Sequence, residues 1–213
     1  MMTLAPATTA RVTPDEIMLT GEAYFQLQSN LGHPTVVRTT DAVVRVLGTS
    51  FVVRRYTTDR GSRVVVENGK VALDASDAGH SRQRPVVLSA RTRGVVVDSG
   101  ITVTTGINVD DYTAWTAGRL VFDEVPLREV VAELGRAYGV DVRIDDTLLA
   151  HRSMTLKASV QTQPLTQVLD FIGRVTQAHY IHVGTTYVLT PGRAPARVPQ
   201  SQTIPQLEKE YGR

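Results

Sequence analysis

The sequence predicts a mainly β N-terminal domain, a β-sandwich or a twisted β-solenoid-like fold, followed by a small α+β domain made of duplicated βαβ units. Two observations support this fold class. Short Val-rich runs recur roughly every eight to ten residues from Ile17 to about Val103, and β-branched residues suit a half-buried pleated surface. After Trp115 the apolar residues change to helical spacing. We therefore predict a linker at 1–16, an all-β domain at 17–112, the α+β domain at 113–190 and a flexible tail at 191–213.

Turn residues separate the Val-rich runs. Asn68-Gly69 stands between Val66-Glu67 and Lys70-Val71. This dipeptide predicts a tight β-hairpin, because a type I′ turn needs two residues that tolerate positive φ. Asp98-Ser99-Gly100 is a weaker signal of the same kind.

The second half of the chain contains one unit twice. Pro126-Leu127, Val130-Val131 and Leu134-Gly135-Arg136 reappear at one constant offset as Pro164-Leu165, Val168-Leu169 and Ile172-Gly173-Arg174. Strand-like segments flank both predicted helices. Chance similarity between two Leu/Val-rich helices is the alternative explanation. The interpretation we favour is a duplicated βαβ, with two helices on one face of a small sheet.

Composition argues against several classes of function. There is no Cys, which removes disulfides, thiolate nucleophiles and Cys-ligated metals. The 23 basic and 21 acidic residues give a net charge of +2, divided evenly between the two halves. No basic lobe is therefore present to follow a nucleic-acid backbone. No apolar run approaches the ~20 residues that span a bilayer, and the N-terminus does not resemble a signal peptide.

Catalytic motifs are also missing: the sequence has no nucleophile elbow, phosphate-binding loop, dinucleotide fingerprint or H-E-x-x-H. His179 and His182 are the only close histidine pair. On the strand predicted there, with Ile181 and Val183 as its buried face, they point to opposite sides and cannot share a metal. Neighbouring acids such as Asp123-Glu124 do not converge across a substrate. We expect no catalytic, cofactor-binding or metal-binding residues, and no enzyme.

Four ordered blocks of the first half resemble the FecR family. They are Leu19-Thr20-Gly21-Glu22-Ala23-Tyr24-Phe25-Gln26-Leu27, Pro34-Thr35-Val36-Val37-Arg38-Thr39, Val46-Leu47-Gly48-Thr49-Ser50-Phe51-Val52-Val53 and Val66-Glu67-Asn68-Gly69-Lys70-Val71. Thr35 departs from the family pattern, in which Phe is usual. The segment from Trp115 to Leu189, with W-x-x-G-x-L-x-F-x-x-x-P-L at its start, resembles the C-terminal extension of the family. That extension is similar to the short N-terminal-like domain shared by secretins and TonB-dependent receptors.

FecR-family members are anti-sigma factors, or sigma regulators, of cell-surface signalling in Gram-negative bacteria. The resemblance implies a periplasmic regulator that binds the signalling domain of a TonB-dependent outer-membrane transporter. It would relay nutrient or siderophore occupancy to an extracytoplasmic-function (ECF) sigma factor. A typical member also has a cytoplasmic sigma-binding segment and one membrane span, and neither is in this sequence. We therefore interpret the chain as the periplasmic fragment of a single-pass inner-membrane protein, either excised or given a misplaced gene start.

We expect the partner to bind at an edge strand, because an edge presents unpaired N–H and C=O groups. The predicted partner-binding residues are Trp115, Leu120, Phe122, Tyr187, Val188 and Leu189. For Trp115 the role we favour is packing between the two domains, and an exposed anchor for a partner is the alternative. The family-motif residues predicted to be structural are Gly21, Glu22, Ala23, Phe25, Gly48, Thr49, Phe51 and Gly69, with glycines where strands turn and Thr49 bonding the local backbone. Alternative functions are a secretin-type assembly module and a carbohydrate-active enzyme.

Overall fold

The computed structural model describes residues 1–28, 34–75, 84–98 and 100–192. Of these residues, 52% lie in strands and 21% in helices, which confirms the prediction of a mainly β chain. None of the described helices is long and apolar enough to cross a membrane. Of the predicted flexible tail, Pro191 ends the last strand, and residues 193–213 lie outside the described part of the chain.

The first eleven strands form one nearly closed sheet. They are β1 (Met2–Leu4), β2 (Thr9–Val12), β3 (Ile17–Gln26), β4 (Thr35–Arg38), β5 (Ala42–Val46), β6 (Ser50–Arg55), β7 (Ser62–Asn68), β8 (Lys70–Ala75), β9 (Val86–Ser89), β10 (Thr92–Val97) and β11 (Gly100–Thr105). Their order is β11-β10-β7-β6-β3-β4-β5-β8-β9, and β1 and β2 also pair with β3. The sheet encloses a Val-rich core in which the rings of Phe25 and Phe51 stack, with centroids 4.9 Å apart.

The prediction that residues 1–16 are a linker is wrong. β1 pairs antiparallel with the second half of β3, and β2 pairs antiparallel with its first half. The Met1 ammonium also donates a hydrogen bond to the Gln26 carbonyl at 2.8 Å. These strands do not need the Val-rich pattern, because backbone pairing with β3 holds them in place. They have no strongly apolar face that the sequence could have revealed.

The predicted Asn68-Gly69 hairpin is also wrong. β7 lies between β6 and β10, whereas β8 lies between β5 and β9, so the two strands are not paired with each other. The turn instead carries the chain from one part of the sheet to another. Gly69 has φ +91°, and a Cβ there would lie 2.9 Å from the Gly48 carbonyl oxygen. The weaker signal does mark a hairpin, because β10 and β11 pair antiparallel around Asp98, whose φ is +48°; Ser99 lies outside the described residues.

The second half of the chain builds two small sheets. Its elements are α1 (Asp110–Thr113), a 3₁₀ helix (Ala114–Ala117), β12 (Arg119–Pro126), α2 (Leu127–Tyr138), β13 (Asp141–Ile144), α3 (Thr147–His151), β14 (Ser153–Ser159), α4 (Leu165–Thr176), β15 (Ala178–Val183) and β16 (Thr186–Pro191). β12 pairs with β14, and β16 lies between β13 and β15. Two sheets thus replace the single sheet that we predicted, around a second apolar core shared with α2 and α4.

The helices α2 and α4 lie where the duplicated sequence predicts them. Each has twelve residues and follows a proline, and each ends at a residue with left-handed φ. The repeated glycines serve the same purpose in both copies. A Cβ on Gly135 would lie 2.9 Å from the Val140 oxygen, and one on Gly173 would lie 2.7 Å from the Ala178 oxygen. At both sites only glycine lets the following strand pass close to the helix.

Candidate functional site

Buried charged side chains join the large sheet to helix α2. Arg54 on β6 donates from Nη1 to Glu22 Oε2 on β3 at 3.1 Å and to Glu133 Oε2 on α2 at 2.6 Å. Arg136, one turn further along α2, donates from Nη2 to the same Glu133 oxygen at 2.7 Å. Glu22 and Glu133 are only 2% and 8% exposed. We call Glu22, Arg54, Glu133 and Arg136 the junction cluster.

Tyr56 and Asp59 complete the surroundings of this cluster. Asp59 accepts a hydrogen bond from Arg54 Nε at 3.1 Å. The guanidinium carbons of Arg54 and Arg136 lie 4.9 and 4.0 Å from the centroid of the Tyr56 ring. Cations over an aromatic face are attracted by its quadrupole, so the ring helps to hold both arginines. Ion pairs and cation–π contacts therefore join the two parts of the chain at this point.

The electrostatics of the cluster differ from one carboxylate to the other. Burial alone would raise the pKa of Glu133, but Arg54 and Arg136 together hold it below its usual value. Burial raises the pKa of Glu22, although Arg54 and Arg63 oppose that shift. Burial disfavours the charged form of Arg54, but its acidic neighbours raise its pKa overall. The charges of the cluster thus depend on one another, which is typical of a structural contact between two parts of a protein.

A groove of about 320 Å³ adjoins the junction cluster, and we call it the junction groove. One wall is β12, which contributes residues between Arg119 and Val125. The groove is also lined by Arg63 on β7 and Arg93 on β10, together with Tyr112 and Trp115. Glu22, Arg54 and Glu133 also line the groove, so its surface is continuous with the cluster.

The strand β12 has an open edge. Among the strands that the structure describes it pairs only with β14, in a two-stranded sheet. The amide of Val160 donates to the Gly118 carbonyl at 2.9 Å, which identifies the hydrogen-bonded pairs of this ladder. Because such pairs alternate in antiparallel sheets, Leu120 and Phe122 direct their backbone groups toward β14, whereas Arg119 and Val121 direct theirs away from it.

Two family models match the chain. The model described as FecR protein covers residues 3–72, and the model described as FecR, C-terminal, covers residues 119–189. The chain belongs to the FecR family. No curated protein matches it.

Solved structures agree with membership of the FecR family. A crystal structure at 1.65 Å of a “putative anti-sigma factor” from Parabacteroides distasonis is similar to the chain, with a TM-score of 0.78 and 27% identity. A second structure at 2.50 Å, with the same description and organism, gives 0.77 and 26%. Each similarity covers 89% of both chains. The family and these neighbours support a signal-transducing regulator and imply a protein that is not an enzyme.

The predicted partner-binding residues of this FecR-family chain do not form one surface. Leu120, Phe122 and Leu189 are buried in the second core, at 5%, 7% and 1% exposure. Tyr187, Val188 and Leu189 belong to β16, which pairs with a strand on each side. The prediction that this strand is an edge is wrong, because β13 from the first repeat fills the position beside it. On β12 the groups that a partner strand can reach are the outward backbone groups of Arg119 and Val121.

Trp115 is half-buried in the 3₁₀ helix. Its ring packs against the second core and also lines the junction groove. Its indole N–H has no hydrogen-bond partner among the described residues. This one side chain therefore packs in the second core and also lines the groove.

The glycines of the FecR motif lie at bends or close contacts of the large sheet. Gly21, with φ +116°, lies where β3 changes neighbours from β2 and β4 to β1 and β6. Thr49 donates to the carbonyl oxygen of Lys70 at 2.9 Å, so its bond joins distant segments and not the local backbone that we expected. Gly69 packs against Gly48 beside this bond.

The other motif residues divide between the core and the junction cluster. Ala23, Phe25 and Phe51 are fully buried in the first core. Glu22 belongs to the junction cluster, whose other members sequence reasoning missed. Two signals were present: Arg54 directly follows the apolar Val52-Val53, and Glu133 lies inside the apolar stripe of α2.

The two close histidines lie on a strand, β15, as expected. Their environment differs from the prediction, because Ile181 and Val183 are 44% and 62% exposed and do not form a buried face. His182 stacks on the Tyr187 ring, with centroids 4.2 Å apart, on the side of the sheet that faces the helices. Among the described residues, no group of three or more His, Asp or Glu is arranged to hold a metal.

Proposed function

We propose that this chain is the periplasmic part of an anti-sigma regulator that binds the signalling domain of a TonB-dependent outer-membrane receptor. Through that contact it relays nutrient or siderophore occupancy to an ECF sigma factor, by way of a cytoplasmic segment in the full-length, membrane-anchored protein. Membership of the FecR family supports the regulatory role. The open edge of β12, which faces the junction groove, is the observation that supports this binding mode.

The binding mode we propose is addition of a partner strand to β12. The outward N–H and C=O groups of Arg119 and Val121 supply backbone hydrogen bonds, which demand little of the partner's sequence. A strand placed there also meets side chains from β7 and β10 across the groove. The partner therefore contacts both parts of the chain, and the junction cluster connects its binding site to the large sheet.

Proline substitution at the open edge tests this mode. The variant Val121→Pro removes an outward N–H of β12, and we expect binding to weaken at least about tenfold, as strand addition needs that donor. The measurement is isothermal titration with the purified signalling domain of the cognate TonB-dependent receptor. The matched control is Lys157→Pro, because Lys157 pairs with Val121 and directs its own N–H to the far edge of β14. Equal affinities of the two variants, with both folds intact by circular dichroism, would refute the proposed mode.

A self-assembling structural module is the second candidate function. The observation that favours it is the edge strand β15, on which Ile181 and Val183 are exposed. Exposed β-branched residues on an edge are typical of strands that pair with another chain. Light scattering coupled to size exclusion distinguishes the two candidates. A monomer at all concentrations supports the signalling role, and a concentration-dependent oligomer that Ile181→Lys abolishes supports assembly.

A further inference from the structure

We propose that the junction groove selects an acidic partner segment: a strand added to β12 places an Asp or Glu carboxylate between Arg63 and Arg93. The position of the strand rests on the function proposed above. The carboxylate preference is new, and it rests on hydrogen-bond donors and charges of the groove itself.

Three residues that line the groove carry buried N–H donors that lack acceptors. Four side-chain atoms are buried without a hydrogen-bond partner among the described residues, and all four are N–H donors. Three of them belong to residues of the groove: Arg63 Nε, Arg93 Nε and Trp115 Nε1. The fourth, Arg136 Nε, belongs to the junction cluster. Because unpaired buried donors are costly, a carboxylate that reached these atoms after a side-chain movement would supply the missing acceptors.

The local charges around Arg63 and Arg93 favour the same ligand, although five carboxylates and four arginines line the groove as a whole. Arg63 approaches Glu22 only to 3.7 Å, whereas Arg54 holds that carboxylate at 3.1 Å. Burial and the nearby charge of Arg54 lower the pKa of Arg63, since its cation is poorly compensated. Arg93 donates to two neutral oxygens, those of Tyr112 at 2.9 Å and Thr104 at 3.2 Å. Neither Arg63 nor Arg93 thus makes a hydrogen bond to a carboxylate within the described residues.

Three other carboxylates of the groove, those of Asp111, Asp123 and Glu129, accept hydrogen bonds from other residues. Asp111 accepts from Asn108 at 2.9 Å, Asp123 from Thr155 at 3.2 Å, and Glu129 from Arg128 at 3.4 Å. Tyr112 lies below both arginines, with their guanidinium carbons 5.3 and 6.0 Å from its ring centroid. The ring supports the two cations, and their planar forks are suited to a carboxylate.

Trp115 makes the proposal directly measurable, because it is the single Trp of the chain and lines the groove. The probes are two blocked tripeptides, acetyl-Thr-Asp-Thr-amide and its Asn counterpart, titrated while Trp fluorescence is followed. We expect a saturable change with the Asp peptide and at least about tenfold weaker binding of the Asn peptide. Salt at about 0.5 M should weaken the Asp peptide selectively. Equal affinities for the two peptides, or no saturable response, would overturn the proposal.

Variants of the two arginines locate the effect. The Arg63→Gln/Arg93→Gln double variant should lose the preference for Asp over Asn, and the single variant Arg93→Gln serves if the double variant does not fold. The control is Arg143→Gln, which removes the same charge from an exposed side chain on β13. A preference that survives in the arginine variants would also overturn the proposal.

The peptide assay is independent of the receptor. If the Asp peptide binds and the receptor's signalling domain does not, the proposed function fails and the acidic site stands. Suppose instead that the signalling domain binds, that Val121→Pro weakens this binding and that the arginine variants leave it unchanged. The acidic site then fails and the proposed function stands.

Discussion

Replacing Glu133 by Gln tests whether the junction cluster holds the two parts of the chain together. The substitution keeps the size of the side chain and one acceptor, but it removes the charge that Arg54 and Arg136 share at 2.6 and 2.7 Å. Both arginines are well buried, with 14% and 12% of their side chains exposed. They would keep their positive charges in a site that is mostly removed from water.

The size of the expected loss in the free energy of unfolding depends on which acceptors each arginine keeps. Removing one partner of a buried ion pair costs about 3–5 kcal/mol. Arg54 retains Glu22 and Asp59, and the Gln oxygen still accepts a neutral hydrogen bond, so we expect a loss of about 2–3 kcal/mol in the free energy of unfolding. For a protein of this length that corresponds to a fall of roughly 5–10 °C in Tm.

Thermal and urea unfolding, followed by circular dichroism, measure this loss. The control is Glu129→Gln, one turn earlier on α2, whose carboxylate is 57% exposed and pairs only with Arg128 among the described residues. An exposed pair of this kind contributes about 0–1 kcal/mol, so the control should unfold close to the wild type. A loss below about 1 kcal/mol for Glu133→Gln, or equal losses in both variants, would refute the role of the cluster.

Three further predictions concern pH and the glycines. Because the folded-state pKa of Glu133 is lowered, its contribution is present above the ordinary value of 4.5 and lost as the pH falls through the folded value. The Tm difference between wild type and Glu133→Gln should therefore shrink in melts below pH 4.5, and a constant difference would contradict this. Gly135→Ala and Gly173→Ala should each lower the free energy of unfolding, measured in urea, by about 1–2 kcal/mol, because the added Cβ meets a backbone oxygen. This loss is expected despite a gain in helix propensity of about 1 kcal/mol. A stabilised variant would contradict the close contact. Gly69→Ala should cost about 1–2 kcal/mol more than Gly106→Ala, since both have positive φ but only Gly69 has a close neighbour; equal costs would leave φ strain as the whole cause.

Local patterns predicted the elements well. The spacing of Leu127, Val130 and Leu134 predicts α2, and the duplicated spacing predicts α4, because helix periodicity is a property of neighbouring residues. The Val-rich runs predict strands of the large sheet for the same reason. The sequence did not predict the short strands β1 and β2, because they are held by backbone pairing with β3 and their own side chains lack the Val-rich pattern.

The candidate site was less predictable, because it depends on contacts between distant segments. Glu22 stood out as a motif residue, but its neighbours Arg54 and Glu133 come from another strand and from a helix of the second half. The sequence indicated β12 as a docking strand. It did not indicate which of its residues face outward, since that depends on the register with β14.

By itself, the sequence determined most of the element types, the repeated helices and the family, because each depends on short-range spacing or on contiguous motifs. Only the tertiary structure decided which strands are edges and which charges meet. Asn68-Gly69 joins two strands that pair with different neighbours, β16 is flanked on both sides, and Arg63 and Arg93 both lie over the Tyr112 ring. The physical reason is that pairing partners and buried charges are selected by the whole fold, through backbone hydrogen bonds and desolvation that no local segment contains.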